Sequence, residues 1–130
     1  MSEYTFVPAQ EIKRIIASEG TILDVRNPDE HDAQHLLARH DFVPLGQLKP
    51  TDFMLRRGLD REAPVYLLCA AGTRAKKAAA MFAKEGYKKL YVIDGGITAC
   101  AKVDGKLVSS GGSTVQSSPP KKPASPGGCA

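Results

Sequence analysis

Cys69-Ala70-Ala71-Gly72-Thr73-Arg74 is the stretch of this chain whose residue types and spacing could do covalent chemistry. A cysteine opens it, and a cysteine thiolate is both a strong nucleophile and a good leaving group. Gly72 can take a left-handed turn, so six successive residues can aim several backbone N–H groups at one point. Arg74 adds a cation at the far end. Such a loop suits a thiolate that attacks the outer sulfur of a donor such as thiosulfate, expels an anion and keeps the sulfur as a persulfide. The outer sulfur then passes to an acceptor thiol or to cyanide by the logic of thiol exchange. A cradle of N–H donors stabilises both sulfurs without a separate general base.

The flanking residues must hold that loop in place. Val65-Tyr66-Leu67-Leu68 is a short apolar run bounded by Pro64, which predicts a buried strand ending at Cys69. Ala75 to Lys84 is Ala-rich and predicts a helix, stopped by Gly86. Arg74 then immediately precedes the helix, and the loop sits at the carboxyl end of a strand, where open α/β sheets bind ligands. The positive end of the helix dipole, with Arg74, favours the thiolate and any bound anion.

Similar alternation runs along the chain. Pro8-Ala9-Gln10-Glu11 opens a helix with Ile12, Ile15 and Ile16 on one face, closed by Gly20. Thr21 to Val25 reads as a strand. Asn27 is placed as an N-cap before Pro28 and the acidic first turn of Asp29 and Glu30, and a short helix follows to about Leu36. Thr51 to Arg57 reads as another short helix, Leu90 to Ile93 as a strand, and Asp94-Gly95-Gly96 as the turn into a last helix from about Ile97 to Val103. Short apolar runs separated by helices predict an α/β fold of three layers, with a small, mainly parallel central sheet flanked by helices.

The remaining composition narrows the function classes. One compact domain is expected from 130 residues, placed at residues 1–108. Residues 109–130 are almost entirely Ser, Gly, Pro, Lys and Ala and are expected to form a disordered tail. The net charge of +4 includes Lys121 and Lys122 of that tail, and there is no Trp, so a nucleic-acid partner is not expected. Lys76, Lys77, Lys84, Lys88 and Lys89 are expected to form a solvated face. Cys69, Cys100 and Cys129 are odd in number and lack close Cys or His partners, so neither a disulfide framework nor a metal site is expected, and no cofactor is. No segment resembles a secretory signal or a membrane span, so a cytoplasmic protein with reduced thiols is expected.

The loop resembles the six-residue active-site loop of the rhodanese family of sulfurtransferases. Leu23-Asp24-Val25-Arg26 followed by Glu30 is similar to that family's first signature, and Val92-Ile93-Asp94-Gly95-Gly96-Ile97 to its terminal strand and Gly-Gly turn. The matches fall in family order over about residues 5–108. The resemblance implies a sulfurtransferase with Cys69 as persulfide-forming nucleophile, Ala70, Ala71, Gly72, Thr73 and Arg74 as the substrate and anion loop, and Asp24, Arg26 and Glu30 as structural partners near the site. Its partners would be a small anionic sulfur donor or a persulfide-carrying protein, and a thiol or cyanide acceptor. Asp24 and Arg26 read as a structural ion pair and His35 as a hydrogen-bonded structural residue. Two departures stand out: Gln34 to Arg39 lacks the glycines and proline usual after the family's His, and Cys100 replaces a frequent Trp, as a smaller core residue. Related phosphatases and arsenate reductases of this fold use a loop one residue longer, so the shorter ring favours a terminal sulfur over a tetrahedral oxyanion. A non-catalytic partner-binding or redox-sensing module is the other alternative.

Overall fold

A computed structural model describes residues 4–70 and 73–109. The predicted three-layer architecture is present. Five strands, β1 (Thr5–Val7), β2 (Thr21–Asp24), β3 (Asp41–Phe42), β4 (Val65–Leu68) and β5 (Leu90–Ile93), form one sheet in the order β1-β5-β4-β2-β3. Every pairing in it is parallel. The helices are α1 (Ile12–Ala17), α2 (Pro28–Ala33), α3 (Pro50–Arg57), α4 (Thr73–Lys84) and α5 (Gly96–Val103).

The strand period of two divides the core between the faces. Leu23, Leu67 and Val92 join Phe53 and Met54 of α3 and Ala75, Ala78, Ala79 and Phe82 of α4. Their neighbours Ile22, Leu68 and Ile93 point the other way, into a cluster with Ile12 and Ile15 of α1 and Ile97 and Cys100 of α5. The central strands are buried on both sides, which is why β4 and β5 read as unbroken apolar runs. The small side chains of α4 let that helix lie close on the sheet, so its first turn approaches the end of β4.

Several expectations need correcting. Helix α4 starts at Thr73, so Arg74 lies in its first turn rather than before it. Helix α2 ends at Ala33 rather than near Leu36: Gln34 is already extended, and Leu36 leaves to bridge Val108. Gly20 closes α1, its N–H donating to the Ile15 carbonyl at 3.1 Å, while the left-handed turn falls on Glu19, at φ 58°. Gly20 also serves space, because a Cβ there would stand 3.1 Å from the Tyr66 ring and 3.2 Å from Ile15. Strands β1 and β3 lack an apolar run and were not anticipated. The expected tail lies outside the described residues apart from Ser109, whose N–H donates to the His35 carbonyl at 2.8 Å. Among the described residues no helix is long and apolar enough to cross a membrane.

Candidate active site

Cys69 follows the last residue of β4 and faces the first turn of α4. Its side chain is buried, and its Sγ accepts the Ala75 N–H at 3.4 Å. Ala75 is the third residue of α4, so this donor is one of the amides that a helix start leaves without an internal partner. The helix dipole therefore points its positive end at the sulfur.

The loop's carbonyls are drawn to the opposite side. The Cys69 carbonyl accepts the Ile97 N–H at 2.8 Å and the Ala70 carbonyl accepts the Thr98 N–H at 3.4 Å, both from the start of α5. Gly96 makes this possible. It has φ 60°, and a Cβ built on it would lie 2.1 Å from the Cys69 oxygen and 2.6 Å from the Ala70 oxygen, where no side chain can stand. The Gly-Gly turn after β5 is thus the floor on which the Cys69 backbone rests. Ala71 and Gly72, expected to complete the anion loop, lie outside the described residues.

Arg74 reaches away from the loop to α2. Its Nη2 donates to Glu30 Oε2 at 2.7 Å and its Nη1 to Glu30 Oε1 at 2.5 Å, a two-pronged pair across 44 residues of sequence. The hydrogen bonds from Arg74 hold the Glu30 carboxyl at about 2, far below the usual carboxylate range. Arg74 is raised in turn, chiefly by its hydrogen bond to Glu30, with Cys69 among the lesser contributors. The guanidinium's two terminal nitrogens are therefore engaged by Glu30, and its charge at the sulfur is partly balanced. It is not the unopposed cation that the sequence suggested.

Glu30 is itself held by α2. Its Oε1 accepts the Asn27 N–H at 3.0 Å at the helix start, where Pro28 occupies the first position, as expected. The buried Arg26 fixes α2 against β2. Its Nε and Nη2 donate to both oxygens of Asp24 at 2.8–3.1 Å, its Nη1 to the Glu30 carbonyl at 3.3 Å and its Nη2 to the Gln34 carbonyl at 2.6 Å. Burying such a pair is tolerable only with all its donors and acceptors matched, and here they are shared with backbone. Asp24, Arg26 and Glu30 thus form a relay of contacts from the end of β2 through α2 to Arg74.

His35 donates from Nδ1 to the His31 carbonyl at 2.8 Å, the hydrogen-bonded role expected of it. The sequence reading missed a second gathering: ligand atoms of Asp24, His31 and His40 lie within 4.8 Å of one another. His31 and His40 are nine residues apart and come from α2 and the loop before β3, and only the turn after Gln34 brings them together. Burial pushes the His31 imidazole down to about 4. Cys100 sits in the apolar layer under α5, and burial raises its thiol to about 11.

Comparison with known proteins gives the family. Residues 8–102 match the model of the rhodanese-like domain family. A thiosulfate sulfurtransferase GlpE from Pseudomonas putida is 32% identical over 98 residues, covering 74% of this chain and 84% of that protein. An uncharacterized protein, YqhL, from Bacillus subtilis is 35% identical over 100 residues, covering 71% of this chain and 75% of its own length. Among solved structures, the rhodanese-like domain of Alr3790 from Anabaena sp. superposes with a TM-score of 0.67 at 19% identity, over 96% of this chain and 93% of that one.

Proposed function

The chain belongs to the rhodanese-like domain family, a family of sulfurtransferases, and from that premise we propose that it carries sulfane sulfur on Cys69 as a thiosulfate sulfurtransferase. The observation that carries this reading is the sulfur of Cys69 at the end of β4, accepting the Ala75 N–H at the start of α4. In the first half-reaction the Cys69 thiolate attacks the outer sulfur of thiosulfate. A new S–S bond forms, the S–S bond of the donor breaks, and sulfite leaves with the electron pair. In the second, cyanide or an acceptor thiolate attacks the outer sulfur of the persulfide, and Cys69 leaves as thiolate. Neither half-reaction needs an external oxidant or a proton transfer at carbon.

The roles of the remaining residues follow from their positions. The start of α4, through the Ala75 N–H, stabilises the negative charge that moves between the two sulfurs. Arg74, tied to Glu30, keeps the loop's far end in place and contributes a partly balanced positive field. Asp24 and Arg26 are structural. With Arg74 so engaged, the donor is recognised mainly by backbone N–H groups, which suits a small sulfur anion or the terminal persulfide of a donor protein. The chemistry needs a reduced thiol at rest, which fits the cytoplasm.

The test is thiocyanate formation from thiosulfate and cyanide by wild type and Cys69→Ser. Activity in the wild type and none in the variant supports the reading. Equal rates reject Cys69 as the nucleophile, and no activity in either protein favours a non-catalytic module.

A further inference from the structure

The proposed transfer makes no use of His31, His35 and His40, which pack together between α2 and β3. His31 lies between two rings, stacked on His35 at 4.7 Å and on Phe42 at 4.2 Å between centroids. Its Nε2 meets the Nε2 of His40 at 2.8 Å. The second nitrogen of His40 decides how the proton is shared. His40 Nδ1 lies 2.8 Å from the Ala38 carbonyl, which can only accept, so Nδ1 carries the proton and neutral His40 presents a lone pair at Nε2. The contact between the rings then requires His31 to be protonated at Nε2. One proton is held between two nitrogen lone pairs, and Asp24 supplies a carboxylate oxygen within 4.8 Å of a ring nitrogen of each histidine.

We propose that His31, His40 and Asp24 form a binding site for a divalent transition cation of the zinc, cobalt(II), nickel(II) or copper(II) class, with the two Nε2 atoms as its principal ligands. The cation takes the place of the shared proton, and His31 takes up a proton from solvent at Nδ1 as the one on Nε2 is released, so both rings bind as neutral imidazoles. Bonds of about 2.0–2.1 Å in tetrahedral geometry set two nitrogens about 3.3 Å apart, so the rings need to separate by only about half an ångström. His40 already has the outer contact typical of a metal-bound imidazole, its other N–H donating to a backbone carbonyl. Stacking on His35 and Phe42 fixes the plane of His31.

The donor set selects the class of metal. Two imidazoles and one carboxylate suit these cations, whereas magnesium and calcium require mostly oxygen ligands. Both oxygens of Asp24 already accept from Arg26, one from its backbone N–H and Nε and the other from Nε and Nη2, so the carboxylate contributes chiefly its charge, and the neighbouring guanidinium opposes a second cation and moderates the affinity. A surface depression lined by His31, His35, Ala38, His40 and Phe42 gives solvent and metal a way in.

The experiment uses the full untagged chain carrying Cys69→Ser and Cys129→Ser, so that neither thiolate competes for metal. After exhaustive chelation it is titrated with cobalt(II), read by visible absorption, and with zinc, read by calorimetry. One equivalent of each should bind, and the cobalt spectrum should show ligand-field bands without thiolate charge transfer. His40→Ala should weaken binding at least about tenfold. His31→Phe, which keeps a ring between His35 and Phe42, should do the same with unchanged circular dichroism. No saturable binding by the parent, thiolate charge transfer in its spectrum, or undiminished binding in the two variants would overturn the proposal.

Discussion

Cys69 and Cys100 are both fully buried, at 1% and 0% exposure, and yet they occupy opposite kinds of surroundings. Cys100 lies within α5 against the apolar layer of α1, and burial raises its thiol to about 11, so it stays a protonated core residue. Cys69 lies where a strand ends and a helix begins, takes an N–H from that helix, and stands beside Arg74. The contrast teaches that burial does not separate an inert cysteine from a working one. What separates them is the backbone N–H of Ala75, given to the Cys69 sulfur where β4 hands over to α4, against the apolar side chains around Cys100.

The largest expected break in this comparison is to exchange the two thiols for their nearest inert replacements. Cys69→Ser should lower thiocyanate formation by roughly three orders of magnitude or more, because the nucleophile is lost. Cys100→Ala should leave the rate within about twofold while lowering stability by roughly 1 kcal/mol, measured by urea denaturation, for one small buried side chain. Comparable activity losses in both would erase the distinction.

Next in size is Gly96→Ala. Its methyl group would fall 2.1 Å from the Cys69 carbonyl on a backbone at φ 60°, so the loop must move. The expected cost is about 2–4 kcal/mol in denaturant unfolding together with a large loss of sulfur transfer. A Gly58→Ala change, also at positive φ (68°) but with open space around it, should cost about 1 kcal/mol and spare activity.

Glu30→Gln tests the relay to Arg74. Losing the charge should reduce kcat/KM about tenfold and stability by about 1 kcal/mol, the pair being only partly buried. The pH dependence follows from the sign of the shift. A carboxyl held at about 2 in the folded chain, against 4.5 ordinarily, contributes its full stability above pH 4.5 and loses it as pH falls toward 2. The stability gap between wild type and Glu30→Gln should therefore be level above pH 4.5 and close below it.

The smallest effect is expected at His31. Its imidazole is held down to about 4 from 6.5, so between those values the unfolded chain takes up a proton that the folded chain refuses. Stability should decline as pH falls from 6.5 to 4 in chelator-containing buffer, and His31→Phe should flatten that part of the denaturation profile.

Legibility in the sequence tracked burial and sequence distance. β4 and β5 were readable to their end residues because both faces of each are covered, leaving uninterrupted apolar runs. β1 and β3 were not, because they lie at the sheet edges and their few residues are half-exposed or exposed. The Asp24–Arg26 pair could be foreseen from residues two apart, whereas the Glu30–Arg74 pair spans 44 and depends on how α2 packs beside the loop. Gly96 was visible as a turn residue, but not as the residue on which the Cys69 carbonyl rests, since that needs the end of β4 and the start of α5 in one place. The histidine cluster escaped for a similar reason: its third member, Asp24, sits on β2.

The most direct test of the central claim is intact-mass spectrometry of the full chain after brief exposure to thiosulfate and desalting. The account predicts a gain of one sulfur atom on wild type, removed by a reducing agent and by cyanide, and absent from Cys69→Ser. A wild-type protein that never gains sulfur, or a Cys69→Ser variant that gains it equally, would contradict it.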